Sequence, residues 1–471
     1  MGVLVDSRRI GRREFALLAA GAALLACIVH WPLPLKLGSV FPRDLGDPIV
    51  QAWQVAWGGH ALSSQPFAFF QANQFWPLKD TLAFSDALIG YAPFGLIGQG
   101  VHAATVRYNL LFLFAYALAF AGAYLLAREL RLRPAAAAVA GAAFAYAPWR
   151  LEQDGHLHVI SSGGIAIALF LLLRGYRTQS AKFVLAGFIA TAWQISLGFT
   201  LGLQLGYLLA ALGLLALIGL WRGRIEPPTA AVKRATIVGV VIVVVTTLAL
   251  ASPYQRVIDA NPEAKRTLSR IAHGSPPAWS FLAAPRNNVV WGSVTKSVRE
   301  EKLSSIPEQT LFPGVTILLL AIAGLFSRAL PRRLRLGLAG GLLLLLLLSL
   351  GIRETGLGRL LPYRLLYEFA PGWQGVRTPG RINTLTSLIL ALLAAAGIEA
   401  VIERIERALP DVRPRTTALA CSAAVVLLIC GEFVGDVLPK APPEPRGARA
   451  AAAPQLHLPI TTAANRRYVY W

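Results

Sequence analysis

The run Leu203-Gln-Leu-Gly-Tyr-Leu-Leu-Ala-Ala-Leu-Gly-Leu-Leu-Ala-Leu-Ile-Gly-Leu-Trp221, followed at once by Arg222-Gly-Arg224, decides the fold class. It carries no charged residue and matches the roughly 20 residues an α-helix needs to cross the hydrocarbon of a bilayer. Comparable runs fall at residues 15–31, 105–127, 135–149, 159–174, 183–199, 235–254, 311–328, 336–352, 383–402 and 417–436, about eleven spans with 203–221 included. The gaps between them test the assignment. Every second gap is short and basic: Arg128, Arg131 and Arg133; Arg174, Arg177 and Lys182; Arg222, Arg224, Lys233 and Arg234; Arg328, Arg332, Arg333 and Arg335; Arg404, Arg407, Arg413 and Arg415. Lys and Arg retained on the cytoplasmic side produce that alternation. The sequence therefore predicts an all-α polytopic membrane protein with its N-terminus inside and its C-terminus outside.

The same alternation predicts where function resides. Residues 1–436 form the transmembrane domain, and the long segments 32–104, 255–310 and 353–382 face outward with the tail 437–471. Long loops on a rigid scaffold are where binding and catalysis concentrate. The stretch Ser85-Asp-Ala-Leu-Ile-Gly-Tyr-Ala-Pro-Phe94 is apolar but broken by Gly90 and Pro93. Counting it as a span would invert every later loop, so it reads as a helix lying along or dipping into the outer leaflet. The tail ends on the strand-like runs Leu456-His-Leu-Pro-Ile460 and Arg467-Tyr-Val-Tyr-Trp471, which read as a small external element or as the mark of a chain shorter than its relatives.

Composition agrees. Of 471 residues 55% are hydrophobic and 15% charged, with a mean hydropathy of +0.55. The formal charge is +21, from 45 Lys+Arg against 24 Asp+Glu. Those cations crowd the gaps between spans and form no basic stripe with interleaved aromatics, so membrane lipids rather than nucleic acid are the expected partner. Cys27, Cys421 and Cys430 all fall inside predicted spans; the last two are roughly 13 Å apart along one helix, too far to bridge. The first apolar run follows Arg8, Arg9, Arg12 and Arg13 with no small-residue cleavage site behind it, the pattern of a retained signal-anchor.

Just after that first span comes Phe41-Pro-Arg-Asp-Leu-Gly-Asp-Pro48, then Ile49-Val-Gln-Ala-Trp-Gln-Val-Ala-Trp57. Asp44 and Asp47 stand three residues apart where the chain leaves the bilayer, and paired acids there point to chemistry on a lipid-linked substrate. Asp47 before Pro48 is a good helix N-cap. The helix it would start places Ile49, Trp53, Ala56, Trp57 and His60 on one face. Asp47 also reads as a general base that removes a proton from an acceptor hydroxyl, and a cap would hold such a base still. Asp44, within reach of Arg43 or Lys36, reads as its support or substitute.

A first span, then a long external loop opening on an acid at the membrane surface, then membrane-parallel helices, resembles the GT-C superfamily of membrane glycosyltransferases. That superfamily includes the protein mannosyltransferase, aminoarabinose transferase and oligosaccharyltransferase catalytic-subunit families. Gly46-Asp-Pro48 with Trp53 and Trp57, Phe144-Ala-Tyr-Ala-Pro-Trp-Arg150 with His156, Pro307-Glu-Gln-Thr-Leu-Phe-Pro-Gly314 and Pro371-Gly-Trp-Gln-Gly-Val-Arg-Thr-Pro-Gly-Arg381 carry the likeness, over residues 15–385. Within it the closest likeness is to poorly characterised bacterial multi-span members. The resemblance implies a polyprenyl-phosphate-linked sugar as donor, an envelope acceptor, an active face outside the plasma membrane, and Asp47 as the acid of the first external loop. The paired Asp-Glu of some members is absent here.

Arg377 and Arg381 lie four residues apart beside Pro379 and Gly380, before the span at 383. The guanidinium is planar and always charged, suited to clamping a lipid phosphate; interfacial anchoring among head groups is the other reading. Arg150 and His156 sit in Pro148-Trp-Arg-Leu-Glu-Gln-Asp-Gly-His-Leu-His158, which reads as a pocket wall for sugar or phosphate, or as a simple polar turn. Trp53 and Trp57 join them as candidate donor contacts. A divalent metal on His156, His158, Glu152 and Asp154 would lack any familiar ligand spacing, so no metal or other cofactor is expected. The rival classes are a transporter or lipid flippase, which would place charges mid-span, and a non-catalytic scaffold of the same fold.

Overall fold

The computed structural model describes residues 10–262, 265–353, 356–433 and 437–442. Arg8, Arg9 and the strand-like expectation at 456–471 lie outside the described residues. Each of the eleven apolar runs holds a helix: α1 (Arg12–Val29), α3 (Gly100–Glu129), α4 (Pro134–Ala145), α7 (Gly163–Arg177), α8 (Ala181–Leu197), α9 (Phe199–Trp221), α10 (Ala230–Ala260), α14 (Val315–Phe326), α15 (Arg332–Ser349), α17 (Asn383–Ala408) and α18 (Pro414–Gly431). Between them run α2 (Asp47–Ser64), α5 (Pro148–Leu151), α6 (Leu157–Ile160), α11 (Leu268–Gly274), α12 (Lys296–Lys302), α13 (Ile306–Gln309) and α16 (Tyr363–Phe369).

Six stretches among the described residues are long and apolar enough to cross a membrane: Gly100–Glu129, Leu157–Arg177, Phe199–Trp221, Ala230–Ala260, Pro379–Ala408 and Pro414–Gly431. The chain is an all-α membrane protein. Three expected spans hold shorter helices, α4, α8 and α14. α4 stops after 12 residues because Pro148 drives Ala147 to an extended backbone, ψ 137°. A helix of that length reaches about 18 Å.

Burial sorts the helices. In α17, 83% of the span is buried, against 11% in α10, so α17 is central and α10 faces outward with Val241, Val245 and Leu248 exposed. α17 packs on α14 at Gly324 and Gly397. A Cβ on Gly397 would stand 2.0 Å from the Leu320 carbonyl oxygen, and one on Gly324 would stand 1.9 Å from that of Leu393. Only glycine permits that approach, the usual device of packed membrane helices.

Ion pairs gather the arginine-bearing segments at one end. Glu14 meets Arg128 at 2.7 Å, Glu129 meets Arg174 and Arg177 at 3.2 and 2.6 Å, and Arg133 meets Glu399 and Glu406 at 2.5 and 2.7 Å. The acids Asp44 and Asp47 lie at the other end. α2 departs from the amphipathic expectation. Ile49, Gln51, Ala52, Trp53, Gln54, Val55 and Trp57 are all buried, because a 3-10 helix at Ile89–Leu96 crosses it so closely that a Cβ on Gly59 would stand 2.1 Å from the Gly95 backbone. Ile89–Leu96 is thus packed beside α2, with Phe94 and Leu96 left exposed. Residues 437–441 pair antiparallel with 39–43.

Candidate active site

Gly46, not Asp47, occupies the N-cap of α2, and no side chain caps the helix. The turn is held by Asp44, whose Oδ1 accepts the Gly46 N–H at 2.5 Å. Asp44 also lies against the loop between α5 and α6, where a Cβ on Gly155 would meet its Oδ2 at 3.2 Å. The Asp47 carboxylate, relieved of capping, turns to that same loop. Its Oδ2 is 3.3 Å from His156 Nε2, and its side chain is 57% exposed. The bond from His156 holds its carboxyl below the usual range, against the opposing effect of burial, with His158 and Arg381 assisting. His156 Nδ1 is buried with no hydrogen-bond partner among the described residues.

Behind this pair lies a second layer. His158 Nδ1 is 3.1 Å from Gln51 Nε2, while Gln51 Oε1 accepts the Leu157 N–H at 2.6 Å. His158 Nε2 faces Asp86 Oδ2 at 3.6 Å and Arg381 Nη1 at 2.9 Å. Arg381 donates from Nε and Nη2 to Glu308 at 3.2 and 2.6 Å, a two-point contact. Arg377 Nη2 stands 3.9 Å from the same carboxylate with its side chain 59% exposed. Burial alone would push the Glu308 carboxyl up; Arg381, His156 and Arg377 together hold it at about 2. Asp86 Oδ1 accepts the backbone N–H of Phe199, which ties the cluster to the start of α9.

Asp47, Asp44, His156, Arg377 and Arg381 are thus brought to one region. Arg150, Trp53 and Trp57 are not. Arg150 is 1% exposed, donating to Ser162 Oγ and the Ile160 carbonyl beneath the Tyr116 and Phe144 rings. It staples the two ends of the histidine loop. Trp53 and Trp57 are buried with Leu82 and Ala87, their indoles bonded to Asn73 and the Phe69 carbonyl; they pin residues 69–87 to α2. Sequence reasoning missed Asp86 and Gln51. Gln51 carried a usable signal, one helical turn from Asp47 on the same face, and Asp86 was an unexplained acid at the head of an apolar stretch. Among the described residues no three His, Cys, Asp or Glu side chains come together to hold a metal ion.

A groove of about 210 Å³ opens beside the cluster. One face of α9 (Phe199, Leu203, Gly206, Tyr207) and one face of α10 (Leu250, Ala251, Tyr254) line it. Its head abuts the polar site, since Phe199 and Ala87 both line it next to Asp86. Tyr207 donates to the Pro371 carbonyl at 3.0 Å and packs on Trp373, which secures the segment bearing Arg377 and Arg381 along the groove's flank.

No protein-family model matches the chain, and no curated protein matches it. Among solved structures it is similar to the oligosaccharyltransferase of Archaeoglobus fulgidus. In the crystal structure of that protein tethered with an acceptor peptide containing the NVT sequon, the match covers 91% of this chain and 56% of that one at 13% identity and a TM-score of 0.49. In its complex with Zn and sulfate the figures are 92%, 54%, 15% and 0.39. The chain spans little more than half the length of the protein it matches.

Proposed function

We propose that this chain is a membrane glycosyltransferase of GT-C type, with about eleven spans and its N-terminus inside. It moves a sugar from a polyprenyl-phosphate donor to an envelope glycan, lipid or protein on the outer face of the plasma membrane. One observation carries the reading: an apolar groove between α9 and α10 runs up to a cluster of two arginines, two histidines and the acids Asp47, Asp86 and Glu308. A long apolar chain with a charged head is the ligand class that such a site fits.

The reaction follows from the placement of charge. The acceptor hydroxyl oxygen bonds to the anomeric carbon while its proton passes to Asp47, whose exposed carboxylate can be reached from outside. The bond between that carbon and the donor phosphate oxygen breaks, and the phosphate leaves with the electron pair. Arg377 and Arg381 neutralise it, with Glu308 holding Arg381 in place. His156 keeps Asp47 ionised, and Asp44 fixes the turn that presents it.

Native mass spectrometry from mild detergent tests this, comparing wild type with Arg377→Ala. A co-purifying polyprenyl-phosphate sugar lost in the variant supports the reading and names the donor. Bulk phospholipid alone in both samples moves weight to a transporter or scaffold. Asp47→Asn should abolish transfer by a correctly folded protein, and transfer at the normal rate would remove Asp47 from the mechanism.

A further inference from the structure

The extended segment 437–441, beyond α18, reaches back to the loop after α1. Phe41 donates its N–H to the Pro439 carbonyl at 3.0 Å, Arg43 to that of Val437 at 2.9 Å, and Ala441 to that of Ser39 at 2.8 Å. Val40 and Lys440 face each other across this antiparallel pair. The opposite edge of the loop is held from α3, where Asn109 Nδ2 donates to the Leu37 and Val40 carbonyls at 2.7 and 2.8 Å. The C-terminal end of α18 is held as well: Val289 donates to the Glu432 carbonyl at 2.7 Å, and Asn288 Nδ2 bonds the Glu432 carboxylate at 3.1 Å.

We propose that residues 437–441 are a positioning strand for the Asp47–His156 pair, an inference that rests on the functional reading above. Among the described residues the pairing runs as far as Arg43, and two connections run on from there. Through the backbone, Arg43 leads to Asp44, whose carboxylate closes the turn on Gly46 immediately before Asp47. Through its side chain, Arg43 pairs with Glu152 on the loop that carries His156. The strand therefore sets both partners of one hydrogen bond from a single anchor point. The chain's last described segment controls the geometry of its first acidic site, although some 400 residues separate them in sequence.

The test uses chains with Cys27, Cys421 and Cys430 replaced by Ala. Val40 and Lys440 form the non-hydrogen-bonded kind of antiparallel pair, with Cα atoms about 4.5 Å apart, within the range a disulfide spans. Val40→Cys with Lys440→Cys should oxidise readily and leave transfer intact; failure to cross-link refutes the strand's placement. Two truncations then separate the strand from the rest of the tail. A stop after Pro442 keeps it and should behave as the full chain. A stop after Asp436 removes it. We expect kcat to fall about 100-fold, the scale of an ångström misplacement at a reacting centre, with KM for the donor unchanged and the acid limb of the pH–rate profile moved upward. An unchanged kcat and pH profile after the stop at 436 would overturn the proposal. One arm needs no activity: Asp47→Cys with His156→Cys, treated with a short thiol-to-thiol cross-linker, should link fast in the chain ending at 442 and slowly in that ending at 436. Equal rates would refute positioning even where no transfer is detected, while a rate difference without transfer would keep the strand's role and sink the glycosyltransferase reading.

Discussion

Replacing Arg381 by Met isolates the two duties assigned to this arginine. In the folded protein it is 11% exposed and meets Glu308, 9% exposed, through two contacts of 3.2 and 2.6 Å. Taking the charge centres as about 4 Å apart, at an effective dielectric of about 20, gives an attraction of roughly 4 kcal/mol. That agrees with the ~3–5 kcal/mol typically lost when one partner of a buried pair is removed. Arg377 remains, but at 3.9 Å and largely in solvent, where such a pair offsets no more than ~1 kcal/mol. Arg381→Met should therefore destabilise by about 3 kcal/mol, read by reversible denaturant titration in mixed micelles at pH 7. The Glu308 carboxyl is held at about 2, so its contribution is full above the ordinary carboxylate range and fades only as pH falls toward that value. Adding Glu308→Gln removes the stranded charge and should restore most of the loss. Donor retention should not return, because the double variant still lacks the phosphate ligand. A double variant no more stable than Arg381→Met alone would refute the ion-pair account; restored lipid binding would refute the phosphate role.

Three further outcomes follow from the same geometry. His156→Gln should move the acid limb of the transfer profile to higher pH, because the Asp47 carboxyl, no longer held down by that hydrogen bond, takes up a proton earlier as pH falls; an unmoved limb in a pH series would dissociate the pair. Gly206→Trp should fill the groove without harming the fold, since nothing lies within 4 Å of a Cβ there, and should abolish lipid retention by native mass spectrometry while leaving thermal stability near wild type. Gly397→Ala should cost about 1–3 kcal/mol through overpacking, because its Cβ would press on the Leu320 carbonyl oxygen of α14; thermal unfolding in detergent at wild-type temperature would contradict that close crossing.

The helical scaffold was legible because lipid imposes a one-dimensional rule. An apolar run must span or pack, and arginines mark its ends, so residues 105–127 and 383–402 pointed to α3 and α17 without knowledge of their neighbours. Asp47 and Arg381 stand out in the sequence for a related reason, since charge beside a membrane span requires explanation. Their partners were hidden by distance along the chain. Gln51 meets a histidine 107 residues away, and Arg381 meets His158 across 223 residues, contacts that no local period encodes. Arg150 misled because its guanidinium looks like a ligand for anions in sequence, whereas the fold turns it inward onto two aromatic rings and a carbonyl. Trp53 and Trp57 misled in the same way: helical spacing announced a shared face but not whether that face met substrate or the chain's own Leu82.

The groove lies between α9 and α10, two helices that elsewhere expose apolar side chains such as Leu215, Leu217, Val241 and Val245. A ligand that enters sideways never leaves the bilayer, so its effective concentration is a mole fraction in a two-dimensional fluid rather than a molarity in water. Catalysis of this kind obeys surface dilution. At constant bulk donor, added detergent or inert phospholipid slows turnover, and the saturation constant scales with the total amphiphile.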